Sequence, residues 1–173
     1  IREDAQTLQA RIYRTFRFGD LATLVMLDTR LIGRDEQMKR EDIAAIDLPS
    51  RQLLGADQEG WLAEQFVSAV RSKTTWNVLG QQVMFAPQTE PGMTAGNPDS
   101  WDGYRAARSR VFDMIERAKV ANLAVLTGDV HSSWAYDLPR HPFDGYDKAT
   151  GKGSIGVEFA GTSVTSPSNL GRG

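Results

Sequence analysis

Apolar runs alternate with amphipathic stretches along this chain, which is a pattern typical of a sheet layered with helices. In segment 11–19, isoleucine, tyrosine and phenylalanine alternate with arginines, and segment 21–28 is almost entirely apolar. The two segments are joined through Gly19-Asp20, a pair that suits a tight turn. The pattern therefore predicts a hairpin whose second strand is buried.

Two helices are predicted from the spacing of apolar side chains. The first runs from Asp57 or Gln58 to Ser72, with four apolar residues on one face, and Asp57 is the expected N-cap. The second runs from Ser100 to about Lys119 and carries a common apolar stripe. The mixed-charge segment before the first helix, GRDEQMKRED, is expected to be a solvated loop or helical turn.

Three more strands are predicted from short apolar segments, at 75–85, at 122–129 and in the first half of 154–167. The proline- and glycine-rich segment 86–100 is expected to be a long loop, and the chain beyond Trp134 is expected to be loop as far as the last strand. Strands that alternate with helices predict an α/β fold with parallel pairing.

Four of the predicted strands end in polar residues. In such sheets ligands bind beyond the carboxyl ends of the strands, so neighbouring strands would bring these residues to one edge. We call this edge the polar rim, and its expected members are Asp28-Thr29-Arg30, Gln81-Gln82, Asp129 with His131, and Thr162-Ser163 with Thr165-Ser166.

Composition narrows the possible functions. A chain of 173 residues with 40% hydrophobic content can form one domain or a large part of one. The net charge of −2 argues against a broad nucleic-acid surface, and the absence of cysteine excludes disulfides, thiolate metal sites and a cysteine nucleophile. No apolar run has the length of a membrane span. The sequence has no G-x-S-x-G elbow, Walker loop or G-x-G-x-x-G motif.

Asp129 and His131 are the strongest candidates for chemistry at the rim. In an extended strand, residues separated by one position point to the same side, so a carboxylate and an imidazole would converge on one cation or one proton. Gly128 would allow a tight turn or the close approach of a ligand. D-x-H alone is a weak signal, because it is also typical of a strand-end histidine that Asp129 holds by a hydrogen bond.

The other rim candidates also have two interpretations. Arg30 suits a forked contact with phosphoryl oxygens, and Asp28 suits the orientation of a ligand, but together they also suit a turn with a surface salt bridge. Gln81 and Gln82 are able to bind substrate or metal-bound water, or to cap strand ends. Trp134 would line the substrate pocket or belong to the core.

Five motifs, taken in order, resemble the alkaline phosphatase D family, the PhoD-like metallophosphatases. The similarity spans roughly residues 11–170, and the motifs are LVMLDTR, LLGADQEGWL, TWNVLGQQVMF, LTGDVHSSWAYDL and GVEFAGTSVTSPS. The resemblance implies an α/β fold, the four-layer sandwich of calcineurin-like metallophosphatases. It also implies hydrolysis of phosphate monoesters and diesters, with calcium and iron as metals, and a periplasmic or secreted location.

The resemblance also assigns roles to residues. In the wider superfamily the last metal-binding motif has the form G-H-x-H, and Gly128 to His131 stand at its position, so Asp129 and His131 inherit the ligand role. The turn at Gln81-Gln82 stands where related enzymes have a metal-binding histidine. Arg30 would neutralise the substrate phosphate, and His131 would hold metal or protonate the leaving group.

The family's upstream metal-bridging aspartate and acidic D-D-H-E-like segment are not visible in this sequence, and a further stretch that family members carry downstream, at the C-terminal end of the domain, is also missing. Residues 1–173 are therefore expected to be part of a single metallophosphatase catalytic domain, completed by another segment or by a second chain, and inactive alone. Two further hypotheses stay open at this point: a non-catalytic α/β binding or assembly module, and a metal-dependent hydrolase with a substrate other than phosphate. Nucleic acid enters only as a possible diester substrate.

Overall fold

A computed structural model describes residues 11–167, which form a mixed α/β sheet with helices packed on it. The α/β prediction is confirmed. The strands are β1 (Arg14–Phe18), β2 (Ala22–Met26), β3 (Trp76–Gln81), β4 (Leu123–Thr127), β5 (Trp134–Pro139) and β6 (Ser154–Ala160). The helices are α1 (Ile43–Ile46), α2 (Gly55–Arg71) and α3 (Arg105–Ala118), and a 3₁₀ turn at Trp101–Tyr104 leads into α3.

The sheet has six strands in the order β1-β2-β3-β4-β6-β5. Strands β2, β3, β4 and β6 are parallel neighbours, while β1 and β5 pair antiparallel at the two edges. The register aligns Met26 with Gly80, Gln81 with Thr127, and Thr127 with Ala160. The four carboxyl ends therefore lie at one edge, as the polar-rim prediction requires.

The hairpin prediction is confirmed, and the capping prediction is wrong. Gly19 has a φ of +58° in the turn between β1 and β2. Helix α2 begins at Gly55, and its N-cap, Leu54, has no side chain that bonds to the helix. A Cβ on Gly33 would lie 2.4 Å from the Leu54 carbonyl oxygen, so close backbone packing sets this helix start. Asp57 lies inside the first turn, where a carboxylate still favours the helix dipole.

Strand β5 lies where the sequence predicted loop. It pairs antiparallel with β6, with Trp134 opposite Ala160 and a register shift between Asp137 and Pro139. Most of its residues are exposed or half-buried, so the segment lacks the apolar run that marks a buried strand. It became a strand because the edge of β6 supplied hydrogen-bonding partners.

The core lies between the sheet and helices α2 and α3. The Phe85 ring packs edge-on against Trp101, with centroids 5.1 Å apart, and stacks on Phe112 at 5.3 Å. The strands contribute alternate residues to this face, and the helices contribute one stripe each. The main contributors are Val25, Leu27, Leu62, Phe66, Leu79, Val111, Phe112, Ile115, Leu123 and Val125.

The opposite face of the sheet is apolar and largely open. Leu126 on β4 is 46% exposed, its neighbour Phe159 on β6 is 49% exposed, and Phe16 on β1 is 44% exposed. The described residues thus form one sheet covered by helices on one face, which corresponds to two of the four layers expected. None of the helices within residues 11–167 combines the length and apolarity needed to cross a membrane.

From the open apolar face we predict how the isolated chain binds hydrophobic dye and aggregates. Phe159→Thr should lower the fluorescence of a bound hydrophobic dye and slow aggregation, because it removes exposed apolar surface at a strand position that threonine tolerates. The free energy of unfolding should change by less than about 1 kcal/mol.

Phe85→Ala is the matched comparison, because Phe85 is fully buried. It should lower the free energy of unfolding by about 3–5 kcal/mol in urea denaturation. Unchanged dye binding in Phe159→Thr would contradict the assignment of this face as the exposed apolar surface.

Candidate active site

The rim begins with a buried turn that follows β2. Asp28 is fully buried, and its Oδ1 accepts hydrogen bonds from the backbone N–H groups of Arg30 at 2.9 Å and Leu31 at 2.8 Å. Gln58 of α2 bonds both the N–H and the carbonyl of Asp28, each at 2.8 Å. Asp28 Oδ2 is buried without a hydrogen-bond partner. Asp28 therefore fixes the backbone that presents Arg30.

Arg30 connects two parts of the rim. Its Nη1 donates to the two carboxylate oxygens of Asp99 at 2.8 and 2.7 Å, and its Nη2 donates to Asp129 Oδ1 at 2.8 Å. Burial would lower the pKa of Arg30, but hydrogen bonds and charge from Asp99 and Asp129 outweigh it and hold the pKa above its usual value. The guanidinium therefore bridges the ends of β2 and β4 as a fixed cation.

Asp129 and His131 do not continue β4 as extended residues, so the expected alternation is wrong. Their φ angles are +74° and +55°, in the left-handed region, and β4 ends at Thr127. Each side chain has its own partner: Asp129 bonds to Arg30, and His131 Nδ1 lies 3.1 Å from the Pro167 carbonyl oxygen. Hence Asp129 is not the group that holds His131.

The ring orientation of His131 matters for its chemistry. A carbonyl only accepts hydrogen bonds, so Nδ1 carries the proton and a neutral ring keeps its lone pair on Nε2. This is the arrangement found in most histidines that bind metals, in which one ring nitrogen is held by a backbone carbonyl or carboxylate. Left-handed backbone at two non-glycine residues is also typical of functional sites.

The two rim glutamines form hydrogen bonds between neighbouring strand ends. Gln82 Oε1 accepts from the Thr29 N–H at 2.8 Å and from its hydroxyl at 2.6 Å, while Nε2 donates to the Leu27 carbonyl at 2.8 Å. Gln81 is buried below the rim, where its Nε2 donates to Thr127 Oγ1 at 2.6 Å. The Gln82 amide is thus engaged with Leu27 and Thr29, which follow β2. Binding of substrate by Gln82 stays a prediction.

Trp134 lies at the same edge of the sheet as the rim. It begins β5 opposite Ala160, the last residue of β6, and is 41% exposed. Its Nε1 donates to Ser132 Oγ at 2.6 Å, and its ring stacks on Tyr136 with centroids 5.8 Å apart. Trp134 therefore occupies a surface position beside the polar rim. Its contact with substrate stays a prediction.

Three charged residues of this region were not found by the sequence analysis. Asp99 pairs with Arg30 and with Arg34, whose Nη2 lies 2.6 Å from Asp99 Oδ1. Glu158 is fully buried under the rim, where it accepts hydrogen bonds from the Phe85 and Ala86 N–H groups at 2.8 and 2.7 Å. Arg30 and Asp99 are 69 positions apart in sequence, so no local spacing signals their contact.

Burial raises the pKa of Glu158 above its usual value, and the hydrogen bonds from Thr127 and the backbone oppose that rise. The carboxyl joins three elements, because it contacts β4 at Thr127 as well as the segment that leaves β3. Its effect is to hold that segment against β6.

The residues that the structure describes do not form a complete metal site by themselves. Within residues 11–167 no three histidine, aspartate or glutamate side chains gather closely enough to hold an ion. Asp129 nevertheless already faces a cation, the Arg30 guanidinium, and His131 has one ring nitrogen held by a carbonyl. A carboxylate and an imidazole are suitable metal ligands, so both residues fit as two members of a larger ligand set.

Comparisons with known proteins agree with the motifs. The model of the family described as PhoD-like phosphatase matches residues 1–172. Alkaline phosphatase D of Bacillus subtilis (strain 168) is 40% identical over 166 residues, which cover 92% of this chain and 27% of that protein. A solved structure of PhoD, also 40% identical, matches with a TM-score of 0.75 over 90% of this chain and 29% of its own. The chain thus spans less than a third of the length of these relatives.

Gln82 should contribute to stability even without substrate. Gln82→Ala removes three hydrogen bonds to Leu27 and Thr29, so we expect the free energy of unfolding to fall by about 1–3 kcal/mol. Urea denaturation followed by circular dichroism measures the change. Gln88→Ala, at an exposed residue of the following loop, is the control and should unfold like the unmodified chain. Equal midpoints for both variants would show that the amide has no positioning role.

Proposed function

The chain belongs to the PhoD-like phosphatase family, and we propose that its polar rim is part of a catalytic site that hydrolyses phosphate monoesters and diesters with metal-activated water. One observation carries the proposal: a fixed guanidinium, a carboxylate and an oriented imidazole gather where parallel strands end. Arg30, Asp129 and His131 are these three groups. This is the edge at which α/β proteins bind ligands.

Asp129 and His131 would hold metal in this proposal. A bound metal would lower the pKa of water and offset the charge of the phosphoryl oxygens. Calcium and iron are the metals that the family resemblance suggests. The further ligands would come from a segment or second chain outside residues 11–167.

Arg30 is the residue suited to the phosphoryl group. A guanidinium presents donors in a planar fork that matches two oxygens of a phosphate. Asp28 keeps the backbone of Arg30 in place, and Gln82 keeps Thr29 against β3, so the positive group is held before substrate arrives. Such preorganisation lowers the cost of ordering the Arg30 side chain when the phosphoryl group binds.

His131 has a second possible role. If its Nε2 does not bind metal, the ring is placed to donate a proton to the leaving oxygen, as a general acid. The two roles differ in their pH dependence, because a metal ligand must be deprotonated whereas a general acid must carry a proton. The pH profiles of kcat for His131→Asn and for the unmodified protein separate them.

A non-catalytic binding or assembly role is the second candidate. It is favoured by one observation, namely that the residues of the described part do not complete a metal site. The same measurements decide between the two functions. A periplasmic or secreted location, which the resemblance suggests, stays a prediction.

The experiment is hydrolysis of p-nitrophenyl phosphate and of its bis-ester by the full-length protein that contains this chain, with added calcium, with added iron and after chelation. We expect turnover that disappears on chelation and returns with metal. Asp129→Asn should lower kcat by at least about 100-fold, because it removes a charge that would hold the cation.

Asp144→Asn is the matched control, since Asp144 is an exposed aspartate in the loop after β5. It should keep the rate of the unmodified protein. Turnover that does not respond to metal would reject the metal-dependent mechanism, and no turnover on either ester would favour the non-catalytic role. A normal rate in Asp129→Asn would remove Asp129 from the site.

A further inference from the structure

Asp99 lies in the long loop between β3 and the 3₁₀ turn. Its carboxylate accepts from Arg30 and Arg34, and its carbonyl accepts from Arg34 Nη2 at 3.1 Å. The Asn97 side chain accepts from the Asp99 N–H at 3.0 Å. Every polar group of Asp99 is therefore engaged, although the residue belongs to a loop rich in proline and glycine.

The loop is anchored at both ends, so the position of Asp99 is defined. Glu158 holds the Phe85 and Ala86 N–H groups at the start of the loop. At its end Ser100 caps the 3₁₀ turn, and Asp102 binds the loop residue Thr89 at 2.7 Å. These anchors lie in the core and do not depend on Arg30.

Two positive and two negative side chains meet around Asp99, so their charges cancel. Two arginines, Arg30 and Arg34, face two aspartates, Asp99 and Asp129. The two arginines differ in exposure: the Arg30 side chain is 34% exposed, whereas that of Arg34 is 11% exposed and lies 4.8 Å from the Tyr104 ring. Only Arg30 is therefore open to a ligand in solvent.

A cation bound to Asp129 would replace Arg30 as the partner of this carboxylate. Arg30 Nη2 would lose its partner, while Nη1 would keep both oxygens of Asp99. The guanidinium would stay at the rim with a free donor, and a phosphoryl oxygen is the acceptor that suits it. Without Asp99 the long side chain would be free to leave the rim, and ordering it again would cost affinity.

We propose that Asp99 is a positioning residue that holds Arg30 at the rim so that its free donor binds the phosphoryl group of the substrate. This inference rests on the proposed function, because the ligand is the phosphate ester. It assigns a role to the long loop that is separate from metal binding.

The first test is inorganic phosphate binding, measured by calorimetry on the protein with its bound metals. Asp99→Asn should weaken binding about tenfold, as expected when a charge-assisted contact is lost. The KM for p-nitrophenyl phosphate should rise by a similar factor, with little change in kcat, and the metal content measured by mass spectrometry should not change. Asp99→Glu keeps the charge and should recover part of the affinity.

The second test is a double-mutant cycle with Arg30→Gln. If Asp99 acts through Arg30, Asp99→Asn should have no further effect on phosphate affinity in the Arg30→Gln background. Arg34→Gln removes the other ion pair of Asp99, together with the Arg34 bonds to the Thr29 and Asp99 carbonyls, but leaves Arg30 with Asp99. It should weaken phosphate binding far less than Asp99→Asn does. Thermal unfolding of each variant shows that it is folded.

The outcomes separate this inference from the proposed function. Equal phosphate affinity in Asp99→Asn and in the unmodified protein overturns the positioning role, whether or not the protein has turnover. Additive effects in the cycle, or an equal loss in Arg34→Gln, also overturn it and assign the effect to loop packing. Absence of metal-dependent turnover rejects the proposed function alone, since phosphate binding is measured independently.

Discussion

Parallel pairing of β2, β3, β4 and β6 is the constraint on which the rest of the structure depends. Hydrogen bonds along three adjacent pairs fix the register, so residues that are between about 30 and 55 positions apart in sequence end at the same edge. The side chains that follow the strands meet there because each strand stops at nearly the same height. A one-residue slip in any pair would turn every side chain of the slipped strand to the other face and separate the rim.

A layer of buried polar groups beneath the rim reinforces this register. Gln81 links β3 to Thr127 on β4, Thr127 bonds Glu158 on β6, and Gln81 Oε1 accepts from Trp101 Nε1 at 3.0 Å. Buried polar groups are costly without partners, and here the partners lie on different strands. The layer therefore stabilises one arrangement of strand ends and rejects others. Through the Phe85 and Ala86 N–H groups it also fixes the start of the loop that carries Asp99.

At the surface the same edge contains charges that balance one another. Arg30 is placed between two carboxylates, so each aspartate has a cation as its partner. Exposed ion pairs add little to stability, and these side chains are about one-third exposed. Their value is positional: in the proposed function they orient groups whose partners would change when a ligand or metal binds. A rigid buried layer below and an exchangeable charged layer above are suited to a site that binds anions.

The open apolar face adds a second aspect of this fold. Leu126 and Phe159 are neighbours on the face away from the helices, and both are about half exposed. A patch of this kind is normally covered by another layer. This chain spans less than a third of its relatives' length, and completion of the fold by a segment outside the described residues stays a prediction.

The sequence alone determined the elements with strong local signals. The apolar runs that became β2, β3, β4 and β6 and the helical stripes of α2 and α3 follow from side-chain periodicity, which depends only on neighbouring residues. The polar residues after the strands were identified for the same reason. Five ordered motifs identified the family, and the family comparison agrees with them.

Tertiary structure alone decided how these residues are used. The start of α2 depends on the approach of Gly33 to Gly55, and β5 exists because β6 has an edge to pair with. The left-handed turns at Asp129 and His131, the Pro167 contact and the Arg30 contact with Asp99 all join residues through space. Local sequence carries information about backbone preference and hydrophobic face, whereas a charge finds its partner only when the chain has closed the distance between them.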